Sequence, residues 1–391
     1  MNEDYNYFQD EEFRASLAAY EHMQQTGEET ELDSETLTDI AEYYAMNQRM
    51  DDANRCIQYA LSFYPDSVDP QIFLSRQQMF FGNKEKAWSI CKAIPDQEDR
   101  EVIFLQAELY FYFTEPQDAF QLLSQHYNDL PDDEAPEFLF DSIALCMDYG
   151  FGEKALTWVL QLRHDFPDYI PAIPLQAEVH NLRHEYQQAV DLLMPNLPLL
   201  AFETQAWLQL AEAQLWLDNY DEALEATDYL LAISTDNAEG LMMRANILLD
   251  LGEFDEAHSL YTRFLSFFPN DEKANYLDAR CLVEQEKYAQ AIQRLELLAA
   301  KPGSTLMGYV YSHLAYCYDQ LGHTEQALHY RQQAEREEYN CLGELFPDLY
   351  PNAPLDDGTL PFCVRFAFSL SLPLPRSLFG LQVFWLLWDP V

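Results

Sequence analysis

Residues 204–271 read TQAWLQLAEAQLWLDNYDEALEATDYLLAISTDN and then AEGLMMRANILLDLGEFDEAHSLYTRFLSFFPND. Set one above the other, the two halves match at an offset of 34 residues: Trp207 over Leu241, Ala211 over Ala245, Tyr220 over Phe254, Ala223 over Ala257. Each half holds two short amphipathic helical patterns joined by a tight turn, Leu217-Asp218-Asn219 in one and Leu251-Gly252-Glu253 in the other. The small residues have a packing meaning, since a large side chain at either place would push two antiparallel helices apart. The aromatic at the start of the second helix plugs the gap between one helix pair and the next.

The register extends in both directions. The small residue of the second helix recurs as Ala53, Ala87, Ala119, Ala155, Ala189, Ala223, Ala257, Ala291 and Ala327, with five of the eight steps equal to 34. Its partner on the first helix is Ala41, Ser75, Ala107, Ile143, Ala177, Ala211, Ala245, Ala279 and Ala315, small at all but Ile143. Pro65, Pro131, Pro167 and Pro269 fall where the second helix must stop. This pattern resembles the tetratricopeptide repeat (TPR), with its large residue at position 4, small residues at 8 and 20, aromatic at 17 and proline at 32. The resemblance implies an all-α fold, a right-handed α-α superhelix of about nine helix-turn-helix repeats, hereafter helix A and helix B of each unit.

The expected organisation is an N-terminal capping helix and acidic linker over 1–33, with Glu11–Gln25 as a lone helix B and Asp33 or Ser34 as the N-cap of the first helix A. The units then span 34–67, 68–99, 100–135, 136–169, 170–203, 204–237, 238–271, 272–307 and 308–341, those at 68–99 and 100–135 being the least regular. After Asn340 the register stops; a Pro-, Asp- and Gly-rich linker leads to an apolar tail, 342–391 together. The tail's apolar runs are broken by Pro373, Pro375 and Arg376, and none approaches the roughly 20 residues of a membrane span.

Composition bounds the function. The chain has 391 residues, 22 Lys and Arg against 67 Asp and Glu, and a formal charge of −45. Such a field repels phosphate backbones and anionic lipid surfaces and favours cationic partners. Seven cysteines without CxxC spacing argue against a disulfide framework or zinc site and for reduced thiols in a cytoplasm. No GxGxxG, GxxxxGK, HExxH or GxSxG occurs, so neither a nucleotide cradle nor a familiar nucleophile or zinc signature is present, and no enzyme activity or cofactor is expected. His180 and His184 could supply half of a metal site, but His180 falls at a packing position and no further ligand stands nearby in sequence.

What remains is a binding surface. The resemblance implies that positions 2, 5, 9, 12 and 13 of helix A line a concave groove for a peptide segment. Carried over residue by residue, these positions give Arg76, Phe80, Phe104, Glu108, Phe111, Tyr112, Phe140, Glu178, Leu208, Glu212, Trp216, Met242, Asn246, Tyr276 and Arg280. Position 5 runs Thr38, Ile72, Phe104, Phe140, Pro174, Leu208, Met242, Tyr276, Ser312, which departs from the Lys/Asn carboxylate clamp of relatives that hold acidic C-terminal tails. Aromatic and Met side chains bury large area at interfaces, and carboxylates beside them select Lys or Arg. The expectation is therefore a non-catalytic scaffold or adaptor taking a basic or amphipathic segment of a protein partner. A structural subunit that self-assembles or meets a membrane through its apolar tail is the alternative. Inter-repeat packing competes with ligand contact at every aromatic named, and a one-residue shift of register would exchange the two roles.

Overall fold

A computed structural model describes residues 8, 11–27, 31–46, 49–300, 306–337, 340–346 and 349–350, all of their regular structure helical. They form two compact units that divide at Arg183/His184. The first begins with α1 (Glu11–Thr26) and continues with α2 (Ser34–Met46), α3 (Met50–Phe63), α4 (Val68–Phe80), α5 (Lys84–Ala93), α6 (Arg100–Tyr112), α7 (Pro116–Asp129), α8 (Ala135–Asp148), α9 (Gly152–Asp165) and α10 (Ala172–Leu182). The second holds α11 (Tyr186–Leu193), α12 (Thr204–Trp216), α13 (Tyr220–Ile233), α14 (Ala238–Asp250), α15 (Phe254–Phe267), α16 (Glu272–Glu284), α17 (Tyr288–Ala299), α18 (Met307–Gln320), α19 (Thr324–Ala334) and the short α20 (Leu342–Leu345). Within each unit consecutive helices pack as antiparallel pairs, and each helix A also lies against the helix A of a neighbouring repeat, as α4 does against α6 and α12 against α14.

The small-residue seam is why the pairs close. All nine helix-B alanines, Ala53 through Ala327, are 0% exposed, and so are all nine residues at the helix-A position. Where serine replaces alanine at Ser75, its hydroxyl donates to the Ala87 carbonyl at 3.0 Å across the same seam, so the polar atom is buried with a partner. Prolines close the second helices: α3, α7, α9 and α15 each end two residues before Pro65, Pro131, Pro167 or Pro269, because the residue preceding proline is pushed out of helical conformation.

The turns between helices A and B share one backbone device. Gly82, Thr114, Gly150, His184, Asp218, Gly252, Glu286 and Gly322 hold the same place in successive repeats, and all have positive φ, between 59° and 82°. At seven of these turns the residue after this one donates back five residues, as Glu115 N does to the Tyr110 carbonyl at 2.8 Å and Glu253 N to the Leu248 carbonyl at 2.8 Å. These are Schellman closures, which satisfy carbonyls that the ending helix would otherwise leave orphaned. Four helix A starts are capped by acidic or amide side chains: Asp33 accepts from Thr36 N at 2.8 Å, Asp99 from Glu101 N at 2.9 Å, Asn237 from Gly240 N at 2.7 Å and Asp271 from Ala274 N at 2.6 Å.

Two places differ from the sequence reading. In the 170–203 stretch helix α11 is only eight residues long and passes into a 3-10 turn at Met194–Asn196, because Pro195 and Pro198 leave the helix without donors. This stretch is thus no more regular than 68–99, where α5 has ten residues. Secondly, residues 342–346 are not bare linker. Leu342 and Phe346, one helical turn apart, are buried against Ala315 and Ala334, and Phe346 meets the Tyr316 ring edge-on at 6.0 Å. The apolar tail beyond residue 350, with Cys363, lies outside the described residues.

Candidate functional site

The helix-A residues singled out by register divide into enclosed and accessible groups. Position 5 is buried at seven of its nine occurrences, Thr38, Ile72, Phe104, Pro174, Leu208, Tyr276 and Ser312; only Phe140 and Met242 are half-buried. The cause is close approach of successive A helices, which covers the side of each helix that faces its neighbour.

In the first unit Glu108 is the clearest correction. It is fully enclosed, and its carboxylate takes two hydrogen bonds from the Arg76 guanidinium, Nε to Oε2 and Nη2 to Oε1, each 2.8 Å long. A carboxylate held this way does not face a ligand: its charge is met within the protein, between α4 and α6. Arg76 is correspondingly 11% exposed at its side chain. Phe104 packs on Phe138 with ring centroids 5.0 Å apart, and Phe111 packs among Phe120, Tyr149 and Phe151 at 5.0–5.4 Å, so both are core residues. Phe80 and Tyr112 meet edge to face at 5.7 Å and remain half-buried, as do Phe140, beside Tyr169, and Glu178. Tyr149 closes the Arg76–Glu108 site; burial and the nearby Glu108 charge hold its hydroxyl well above the usual phenol range.

In the second unit Leu208 is buried, and Tyr276 is fully enclosed with its ring edge-on to His313 at 5.5 Å. Asn246 accepts from the Tyr261 hydroxyl at 2.6 Å in the core. These three pack rather than present themselves. Glu212, Trp216, Met242 and Arg280 stay partly exposed. Trp216 lies parallel to Tyr186, 3° between planes and 5.4 Å between centroids, and burial, with the Glu212 charge adding to it, pushes the Tyr186 hydroxyl up to about 12. Tyr186 occupies the aromatic position of its repeat and was legible as a packing residue; its place in an accessible aromatic-acidic cluster was not. His184 completes that cluster, 2.7 Å from the Tyr186 hydroxyl.

His180 is buried and pairs with Gln176 at 3.1 Å, a packing role. Among the described residues no group of three or more His, Cys, Asp or Glu side chains could hold a metal ion, and no helix is long and apolar enough to cross a membrane. The six described cysteines are free and buried.

Residues 225–298, well under half of the chain, match the family described as anaphase-promoting complex, cyclosome, subunit 3. No curated protein matches. Among solved structures, the chain is similar to MamA at 21% identity, covering 42% of this chain and 96% of that one with a TM-score of 0.39. A tetratricopeptide repeat protein from Parabacteroides merdae is 17% identical, covering 64% and 98% at a TM-score of 0.43. YrrB, described as a TPR protein with an unusual peptide-binding site, is 16% identical, covering 49% and 93% at a TM-score of 0.41. The paired helices, the buried seam position in all nine repeats and the recurring turn give the chain the helix-pair repeat fold of the tetratricopeptide class.

Proposed function

We propose that this chain is a non-catalytic interaction scaffold whose helix-A faces take a basic or amphipathic segment of a protein partner. The observation that supports this most is the cluster of Tyr186, Glu212 and Trp216, where half-exposed aromatic surface adjoins a carboxylate in a chain of net charge −45. Aromatic surface supplies apolar area and cation–π attraction, and the carboxylate selects a cation. Met242, an adaptable and half-buried side chain of the same unit, adds to this chemistry, and Glu178 offers a half-buried carboxylate on a helix A of the first unit. Phe104, Glu108 and Phe111 in the first unit and Leu208, Asn246 and Tyr276 in the second are enclosed and stand outside this proposal. Free buried thiols fit a reducing cytoplasm.

The test is fluorescence anisotropy of a labelled basic amphipathic helical peptide at about 0.1 M and about 1 M salt, over which the screening length falls from about 10 to about 3 Å. Binding should weaken steeply with salt and drop about ten-fold or more in Glu212→Lys. An acidic peptide of equal length that binds as well, or affinity indifferent to salt, defeats the reading.

A further inference from the structure

Away from the helix-A faces, the second unit carries a depression of about 380 Å³ between the B helices α17 and α19, floored by α18. Its wall includes Glu296 and Ala299 on α17, Tyr311 on α18, and His329, Tyr330 and Gln333 on α19. The Tyr330 ring is stacked on two others: Tyr311 at 6.1 Å and 25°, and Tyr318 at 5.7 Å and 6°. The exposed His329 imidazole sits edge-on to Tyr330 at 5.2 Å. Glu296 Oε1 accepts from the Tyr318 hydroxyl at 2.7 Å, which fixes the carboxylate beside the ring stack. Among the described residues no cation lies within ion-pair distance of Glu296. Exposed leucines stand on the same two helices, Leu297 72% and Leu328 49% exposed.

We infer that this depression is a recognition pocket for an arginine side chain of a protein partner, stacked on the Tyr311/Tyr330 surface and paired with Glu296. The chemistry is specific to a planar cation. A guanidinium is weakly hydrated, stacks on aromatic faces and meets a carboxylate with a fork of donors, whereas an ammonium is strongly hydrated and bonds as a point. The Tyr318 hydroxyl ties down one carboxylate oxygen, so the carboxylate is oriented before the ligand arrives and less side-chain freedom is lost on binding. The stem of the arginine would lie on Ala299 and the apolar rim. The pocket is independent of the Tyr186, Glu212 and Trp216 cluster, because it is lined by α17, α18 and α19 and shares no residue with it.

The experiment is ligand-observed saturation-transfer NMR on the full chain, with Nα-acetyl-arginine amide as the probe and the citrulline analogue, which has the same shape without the charge, as comparison. Arginine amide should show saturation transfer and citrulline amide little. Glu296→Gln should weaken arginine binding about five-fold, the worth of a partly exposed ion pair, while Glu225→Gln, which removes an exposed helix carboxylate elsewhere, should leave it unchanged. Gln333→Glu, which adds a carboxylate to the wall, should tighten it by a similar factor. Equal binding of the two probes, no transfer to arginine amide, or equal responses to Glu296→Gln and Glu225→Gln would each overturn the pocket. The last result would leave only diffuse attraction to an acidic surface.

Discussion

Replacing Glu108 by Gln keeps the size of the side chain and removes its charge, and it tests an enclosed ion pair of the first unit. Glu108 is 0% and Arg76 11% exposed at their side chains, and the two share two 2.8 Å hydrogen bonds. Attraction between them is offset by the cost of taking both from water, so the intact pair contributes little net stability. Removing one partner strands the other, at a cost of about 3–5 kcal/mol. Since about 1.4 kcal/mol is a factor of ten, local opening of α4 and α6 should become about two to four decades more frequent. Solenoid repeats open in pieces, so the assay is native-state hydrogen exchange read by mass spectrometry on peptides from 68–112, beside urea unfolding. The double variant Arg76→Met with Glu108→Leu, which refills the site without charge, should return within about 1 kcal/mol of the parent or exceed it. A single-variant cost under about 1 kcal/mol, as an exposed pair gives, would refute the buried-charge argument. So would a double variant as unstable as the single.

Other consequences are testable on the same footing. Thr114 has φ 65°, a left-handed conformation that costs a β-branched residue about 1–2 kcal/mol; Thr114→Gly relieves it, loses about 0.5–1 kcal/mol to chain entropy, and should raise the urea midpoint. Gly240→Ala should lower stability by about 1–3 kcal/mol despite better helix propensity, because a Cβ there would lie 2.3 Å from a Leu230 methyl; unchanged thermal unfolding would show that Leu230 yields freely. His313 is enclosed by Tyr276, Cys341, Arg280 and the Tyr309 carbonyl, and burial with the Arg280 charge lowers its pKa from 6.5 to about 3. The unfolded chain therefore binds a proton that the folded chain refuses, so stability falls as pH drops from about 6.5 toward 3, by up to about 1.4 kcal/mol per pH unit from this group. His313→Gln should flatten that slope in urea titrations between pH 7 and 5, and an identical slope would place the proton elsewhere.

The helix pairs were legible because small residues at a fixed step have one physical meaning, and each of those positions is closed in the structure. The accessible side of helix A was much less legible. Position 5 reads as apolar or aromatic whether it meets a ligand or a neighbouring helix, and at Phe104 and Tyr276 it meets the protein. Glu108 misled for a different reason: a carboxylate reads as solvent-facing unless its counter-charge is seen, and Arg76 stands 32 residues away. The recurring left-handed turn was hidden in a different way, since Thr114, His184, Asp218 and Glu286 carry no glycine signature. The pairing of Leu342 and Phe346 with the last repeat was obscured by the prolines and acidic residues around it.

An array of this kind can lengthen during descent by copying one unit, because nearly every seam is built from the same small residues. The stretch from 68 to 112 resists that route. A second copy of the α4 repeat alone would bring an arginine with no glutamate to receive it, and loss of the α6 repeat would leave Arg76 facing apolar wall. A change of length that keeps this pair satisfied must copy or remove the two repeats together.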